Sequence, residues 1–240
     1  MLDATSLRKF TDKFQTSEAN VAREYCQHLF LSYLYEQPMS DQICFKGGTA
    51  LRIVFQSPRF SEDLDFTLLH ITKHQIETCF INVLERFNQA TIPAELEEAK
   101  ETTGGYLGRA RFMVLGMSIS IQIELSKRPG KSVHGDSAVI QNAYIPPYTL
   151  VHLPKSLIIE GKIQALLNRH KPRDFYDYFF LLHGDSPLVR DTAVLRRVLE
   201  LLKNDRADFR KEIKQFLPKS QAMLLRDFPK ILEQKIQSFL

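Results

Sequence analysis

The sequence has little of what would tie it to a disulfide framework, a zinc site or a membrane. Its only cysteines, Cys26, Cys44 and Cys79, are spread widely through 240 residues. They sit in apolar surroundings with no CxxC pair and no Cys/His cluster, and so read as buried free thiols. The seven histidines never fall at a zinc-ligand spacing. Of these, His170 and His183 read as surface or helix-end residues. No run approaches the apolar length of a membrane span. The opening MLDATSLRKF has no apolar core behind a basic start, so it does not read as a secretory signal. Internal repeats and low-complexity tracts are absent, and neither Ser126 nor Ser132 has a nucleophile-elbow context. A cytoplasmic protein with no membrane partner is expected.

What is present is an ordinary globular composition. Hydrophobic residues make up 44% and charged residues 25%, which argues against wholesale disorder. The length suits one large domain or two modest ones. A formal charge of +4 suits an anionic ligand without requiring nucleic acid. The sign is uneven: residues 95–101 are acid-rich, whereas 162–173 and 196–214 carry most of the local basic excess.

Periodicity divides the chain near residue 150, with an α/β portion before it and a helical portion after. Residues 1–36 read as helical, and Pro38 ends them. Residues 43–45 read as a strand, followed by a Gly47-Gly48 turn and a helix over 49–55. A strand is expected over 62–69, and a helix capped by Thr72 follows. Residues 106–115 and 118–125 flank Gly116 as a hairpin or two neighbouring strands. Ile119, Ile121, Ile123 and Leu125 take one face there, and Ser120, Gln122 and Glu124 the other. Residues 127–135 read as a polar loop, and 139–148 as a further strand. In the helical portion, Ser186-Pro187 reads as a helix start for the run to Leu202. Further helices fit 208–216 and 229–240.

The chemistry concentrates in an acidic pair. Asp63 and Asp65 lie two apart in a strand-like segment, so both carboxylates leave one face, about 6–7 Å apart along the backbone. Leu64, Phe66 and Leu68 anchor the opposite face. Two ionised carboxylates on an otherwise apolar strand call for a cation, and Mg²⁺ (or Mn²⁺) suits such a pair together with phosphate oxygens. A two-metal arrangement would put one ion on a triphosphate and one near an attacking hydroxyl. The plain alternative is a solvated strand face. Gly47, Gly48 and Thr49 lie between strand and helix, where exposed amides and a hydroxyl could cradle phosphate. The turn is neither a P-loop nor a GxGxxG fingerprint. Glu124 is a candidate third carboxylate or else an exposed glutamate. Ser61 could bond the loop or a phosphate, and Arg59 is expected at the surface. Arg109 and Arg111 share a strand face, where they could meet a triphosphate or RNA or simply face solvent. Tyr144 and Tyr148 could line a cleft or pack.

With those residues in view, FKGGTALRIVFQSPRFSEDLDF resembles the opening motif of nucleotidyltransferases with a DNA-polymerase-beta-like fold. More closely it resembles the AbiEii/AbiGii toxin family, which includes the MenT-type toxins of bacterial toxin–antitoxin pairs. Thr49 stands where the broader superfamily has serine, and the spacing to the acidic pair is slightly longer. EGKIQALLNRHKPRDFYDYFFL resembles the family's later helical motif, a lysine followed by Arg-Asp-x-x-Asp. Carried over, Lys162 would bind the triphosphate and Asp177 would complete the acidic site, with Asp174 its nearby competitor.

The residues themselves allow a plainer account, an exposed Arg173–Asp177 helix pair on the polar side of the segment. The resemblance implies an α+β fold: a polymerase-beta-like core with a mixed sheet over 1–150, then a helical region over 151–240 that contributes Lys162 and Asp177 to the cleft. It also implies transfer of a nucleoside monophosphate from an NTP to an acceptor hydroxyl, the 3′ end of tRNA, by a toxin restrained by an antitoxin. A protein or small-molecule hydroxyl as acceptor, or a non-catalytic binding module, are the rival readings. The basic stretch 196–214 could hold RNA phosphates, although Glu200, Asp205, Asp208 and Glu212 interrupt it.

Overall fold

Local signals set most element boundaries. In a computed structural model that describes residues 1–127, 133–204, 207–221 and 223–240, the chain divides into two units. The first comprises Met1–Gln56 with Phe60–Pro154, and the second Ser57–Arg59 with Lys155–Leu240. Helix α1 spans Ala4–Phe14, with Asp3 accepting from the Ser6 amide. Helix α2 spans Glu18–Tyr35, with Ser17 accepting from the Asn20 amide. In α4 (Lys73–Gln89), Thr72 and Gln75 form a reciprocal capping box, so the threonine start legible in the sequence is the real one.

The first unit is built on a mixed sheet. Its strands are β1 (Ile43–Lys46), β2 (Leu64–Leu68), β3 (Ala94–Thr102), β4 (Gly105–Val114), β5 (Met117–Lys127), β6 (Asp136–Ile140) and β7 (Tyr148–His152). Their order is β3-β4-β5-β2-β1-β7-β6. β2 pairs in parallel with β5 and β1 with β7, while the other neighbours are antiparallel. Alternation decides which face is covered. Ile119, Ile121, Ile123 and Leu125 are buried with Leu64, Phe66 and Phe45. Helix α2 packs on this sheet, and α4 packs against α2 and β3. The tip of the β4–β5 hairpin puts both Leu115 (φ 50) and Gly116 (φ 78) in the left-handed region, which lets two antiparallel strands close tightly.

Two expectations need correction. The strand expected over 62–69 begins only at Leu64, because the main chain before it bonds to side chains rather than to a neighbouring strand. Gln27 Nε2 donates to the carbonyls of Ser61 (3.0 Å) and Glu62 (3.1 Å), and the Thr49 hydroxyl donates to that of Asp63. The segment 141–147 is irregular and separates β6 from β7. There Asn142 Oδ1 accepts from the amides of Tyr144 and Ile145, which closes a local turn. The acid-rich stretch is β3, an exposed edge strand whose glutamates face Arg109, Arg111 and Lys100. Of the expected polar loop, residues 128–132 lie outside the described residues.

The second unit is helical. It contains α5 (Lys155–Arg169), α6 (Pro172–Leu181), α7 (Thr192–Asn204), α8 (Phe209–Ile213) and α9 (Phe228–Gln237). Phe175, Tyr176, Phe209 and Phe228 form an aromatic core. The helix expected to start at Ser186-Pro187 starts at Thr192 instead. The Asp191 carboxylate accepts from the amides of Ala193 and Val194, a better cap than a hydroxyl followed by a turn.

Candidate active site

The first unit gathers five of the sequence-nominated residues by backbone devices. β1 ends at Lys46 and turns directly into α3 (Gly47–Ile53). Gly47 has φ +86, and a Cβ there would collide with the Asp65 carboxylate. Glycine is therefore required twice over, for the left-handed conformation and for the close approach of Asp65. Thr49 is fully buried, and its hydroxyl is committed to the Asp63 carbonyl. It holds the acidic segment to the glycine turn and is not turned outward. Asp63, Asp65 and Ser61 are all half-buried.

Register completes the arrangement. Lys46, Asp65 and Glu124 lie in one row across β1, β2 and β5, so their side chains leave the same face. Lys46 crosses β2 on that face, its ammonium 2.6 Å from the Ser126 hydroxyl on β5. Sequence reading missed Lys46, although its place immediately before Gly47-Gly48 was a usable signal. Glu124 is exposed. Among the described residues no three His, Cys, Asp or Glu side chains converge as a ready-made metal cluster. The donor chemistry nonetheless fits Mg²⁺, which usually takes one or two carboxylates and fills its shell with water and substrate phosphates.

The second unit places Lys162 and Asp177 together. Lys162 stands on α5 above a buried stripe of Ile159, Ile163 and Leu166. Its ammonium lies 2.7 Å from Asp177 Oδ2 on α6. Arg59 grips the same carboxylate as a fork, Nε to Oδ1 at 2.8 Å and Nη2 to Oδ2 at 3.0 Å. The expectation of a surface Arg59 is overturned: its side chain is 5% exposed and that of Asp177 is 1% exposed. The exposed Arg173–Asp177 pair is likewise replaced by this buried cluster. Burial alone would raise the Asp177 carboxyl, but the Arg59 guanidinium and then the Lys162 ammonium outweigh it and hold it down at about 2. No local signal could have revealed Arg59, whose partner is 118 positions away in sequence.

Asp174 has different employment. It is paired with Arg169 at 2.7 and 2.8 Å and accepts from the Lys171 amide at the start of α6. Other nominated residues also have partners. Arg111 pairs with Glu95 and Glu97, and Arg109 lies 3.9 Å from Glu98. The Tyr144 hydroxyl donates to Glu24 at 2.6 Å, and that of Tyr148 is 2.9 Å from His28 Nδ1. In the basic stretch, Arg197 pairs with Glu200 and Lys203 with Glu233, while Asp205 lies outside the described residues. All three cysteines are free and buried. No helix among the described residues is long and apolar enough to cross a membrane.

Several solved structures share this fold. MenT4, a nucleotidyltransferase toxin of Mycobacterium tuberculosis H37Rv, is similar with a TM-score of 0.67 at 17% identity, over 99% of this chain and 90% of that one. A putative nucleotidyltransferase from H. pylori is similar with a TM-score of 0.57 at 20% identity, over 93% of this chain and 99% of that one. JHP933 from Helicobacter pylori gives 0.53 at 20% identity, over 93% and 95%. No curated protein matches the sequence significantly. Residues 29–240 match the family described as Nucleotidyl transferase AbiEii toxin, Type IV TA system. With the glycine turn, the acidic strand and the lysine–aspartate helices all inside the matched span, the chain belongs to the AbiEii family of toxin nucleotidyltransferases.

Proposed function

We propose that this enzyme transfers a nucleoside monophosphate from a nucleoside triphosphate to the 3′-terminal hydroxyl of tRNA, and that a cognate antitoxin restrains it. The acceptor oxygen bonds to the α-phosphorus, the bond from that phosphorus to the bridging oxygen breaks, and pyrophosphate leaves. The observation that carries this reading is the seating of Asp65 against Gly47, with Thr49 fixing the Asp63 carbonyl. That arrangement orients two carboxylates through rigid main chain, as a polar site with a fixed task requires.

In this reading Asp63 and Asp65 hold Mg²⁺, with Glu124 on the same face, and the ion supplies charge neutralisation at the reacting phosphate. Gly47 and Gly48 form the turn that meets phosphate, and Ser61 flanks the acidic strand. Lys162 meets the negative charge that builds toward the leaving group, and Asp177 aims the lysine. Asp174, paired with Arg169 at the start of α6, is the nearby acid to Asp177. The type IV toxin family to which the chain belongs supports the antitoxin, and the MenT-type resemblance supports tRNA as acceptor.

The test is incorporation of label from each of four α-³²P nucleoside triphosphates, with Mg²⁺, into total RNA and total protein. A parallel reaction uses Asp63→Ala/Asp65→Ala protein. Label in a tRNA-sized band that vanishes with the double variant is the expected result. Label confined to protein would keep the reaction and replace the acceptor, and aspartate-independent labelling would remove the assignment of the site.

A further inference from the structure

The cluster around Asp177 holds one more cation than a structural role requires. A buried carboxylate needs one partner to offset its desolvation. The neighbouring Asp174 is paired with Arg169. Asp177 instead has two partners, and formal charges on Arg59, Asp177 and Lys162 sum to +1. The two cations are not equivalent. Arg59 takes both carboxylate oxygens in a planar fork, the arrangement that best fixes a carboxylate. Lys162 makes a single contact, to Oδ2, and is the most exposed member at 12%, against 5% for Arg59 and 1% for Asp177.

We propose that Arg59 is a positioning residue that takes up the charge of Asp177, leaving Lys162 aimed by that carboxylate yet not neutralised by it. The proposal rests on the reading of Lys162 as a phosphate-binding lysine. With Arg59 in place, Asp177 is already balanced and serves as a fixed acceptor for one proton of the ammonium. The remaining protons and the net positive charge stay available to a polyanion. Without Arg59, the Lys162–Asp177 pair becomes neutral and its pull on phosphate falls. Arg59 belongs to the stretch between α3 and β2 yet groups with the helical unit, as do Ser57 and Pro58. The role calls for a guanidinium, since a lysine offers no planar fork.

The experiment measures binding of each Mg²⁺–nucleoside triphosphate to the full chain by calorimetry, alongside circular dichroism and thermal melting. Lys162→Met is expected to weaken binding by about tenfold, the loss of one charge-assisted contact. Arg59→Met should weaken it nearly as much, and Arg59→Lys should recover only part of the loss. The discriminating variant is Arg59→Met/Asp177→Asn, which removes both charges and frees Lys162 from a neutral pair. It should bind triphosphate more tightly than Arg59→Met alone, while its transfer rate stays low because the lysine is no longer aimed. A merely structural Arg59 predicts no such recovery. The proposal is overturned if folded Arg59→Met binds like the wild type, or if the double variant binds no better than the single. If Lys162→Met binds like the wild type, or no triphosphate binds the wild type at all, the phosphate reading of Lys162 fails and takes this inference with it.

Discussion

Asp65 and Asp177 are aspartates of one chain held under opposite regimes. Asp65 is half-buried and placed by main chain: a strand register, a glycine with no Cβ to obstruct it, and a neighbouring carbonyl pinned by Thr49. Asp177 is wholly buried and placed by side-chain charge, with both oxygens occupied by cations. The first arrangement sets a half-buried carboxylate on the strand face it shares with Lys46 and Glu124. The second has used its capacity and can only orient. The difference separates a residue that binds from one that aims, and it can be attacked from either side.

The largest effect is expected from Asp177→Ala. It strands a buried guanidinium and a nearly buried ammonium, and breaking such a cluster typically costs about 3–5 kcal/mol of stability. Chemical denaturation of purified protein measures it. Asp65→Asn should behave in the reverse way. Transfer should fall at least about 100-fold, beyond the loss usual for a merely supporting residue, while the melting temperature changes far less than for Asp177→Ala. A large stability loss for Asp65→Asn would erase the distinction between the two aspartates.

Acid tests the same contrast without mutation. The folded Asp177 carboxyl lies at about 2, below its ordinary 3.8. A depressed carboxyl contributes stability that is present above the unfolded value and is lost as pH falls from about 4 toward 2. The loss should be on the order of 2 kcal/mol. Urea midpoints across that window should show a slope that Asp177→Asn removes.

How much of this was legible in the sequence follows from the range of the forces involved. The strand–glycine–helix unit, the alternation of Ile119 to Leu125 and the Thr72 cap are local, and each left a local pattern. The acidic pair was visible because two carboxylates at period two break an otherwise apolar strand. Arg59 was not visible, because what buries it is a carboxylate far along the chain, and a lone arginine beside proline looks like surface. β3 was obscured for a different reason. Its exposed run of Glu, Ala and Lys has poor strand propensity, and cross-strand ion pairs with β4 hold it in place. The start of α7 was misplaced because Ser186-Pro187 and Asp191 both carry helix-start chemistry, and only the carboxylate reaches the first free amides.

Gly47→Ala sharpens the comparison by attacking main chain alone. A Cβ at φ +86 is strained wherever it sits, and here it also meets the Asp65 carboxylate. A cost of about 1–3 kcal/mol in stability is expected, with a larger proportional loss of transfer because the turn and the carboxylate must part. If activity survives unchanged in a folded Gly47→Ala protein, close seating of Asp65 is not required.

The smallest expected effect on stability is also the most diagnostic. Thr49→Val keeps the volume of a fully buried side chain and removes only the donor to the Asp63 carbonyl. Losing one buried hydrogen bond costs about 1–2 kcal/mol, whereas Thr49→Ser retains the hydroxyl and should cost less than Thr49→Val in both stability and transfer. If the hydroxyl acts by holding Asp63, transfer with Thr49→Val should drop while triphosphate affinity changes little, since the residue is buried and makes no outward contact. A hydroxyl that instead met phosphate would show the opposite split, weakened affinity with turnover preserved. The ratio of the two losses therefore decides whether Thr49 belongs to the main-chain scaffold around Asp63 and Asp65 or to the ligand.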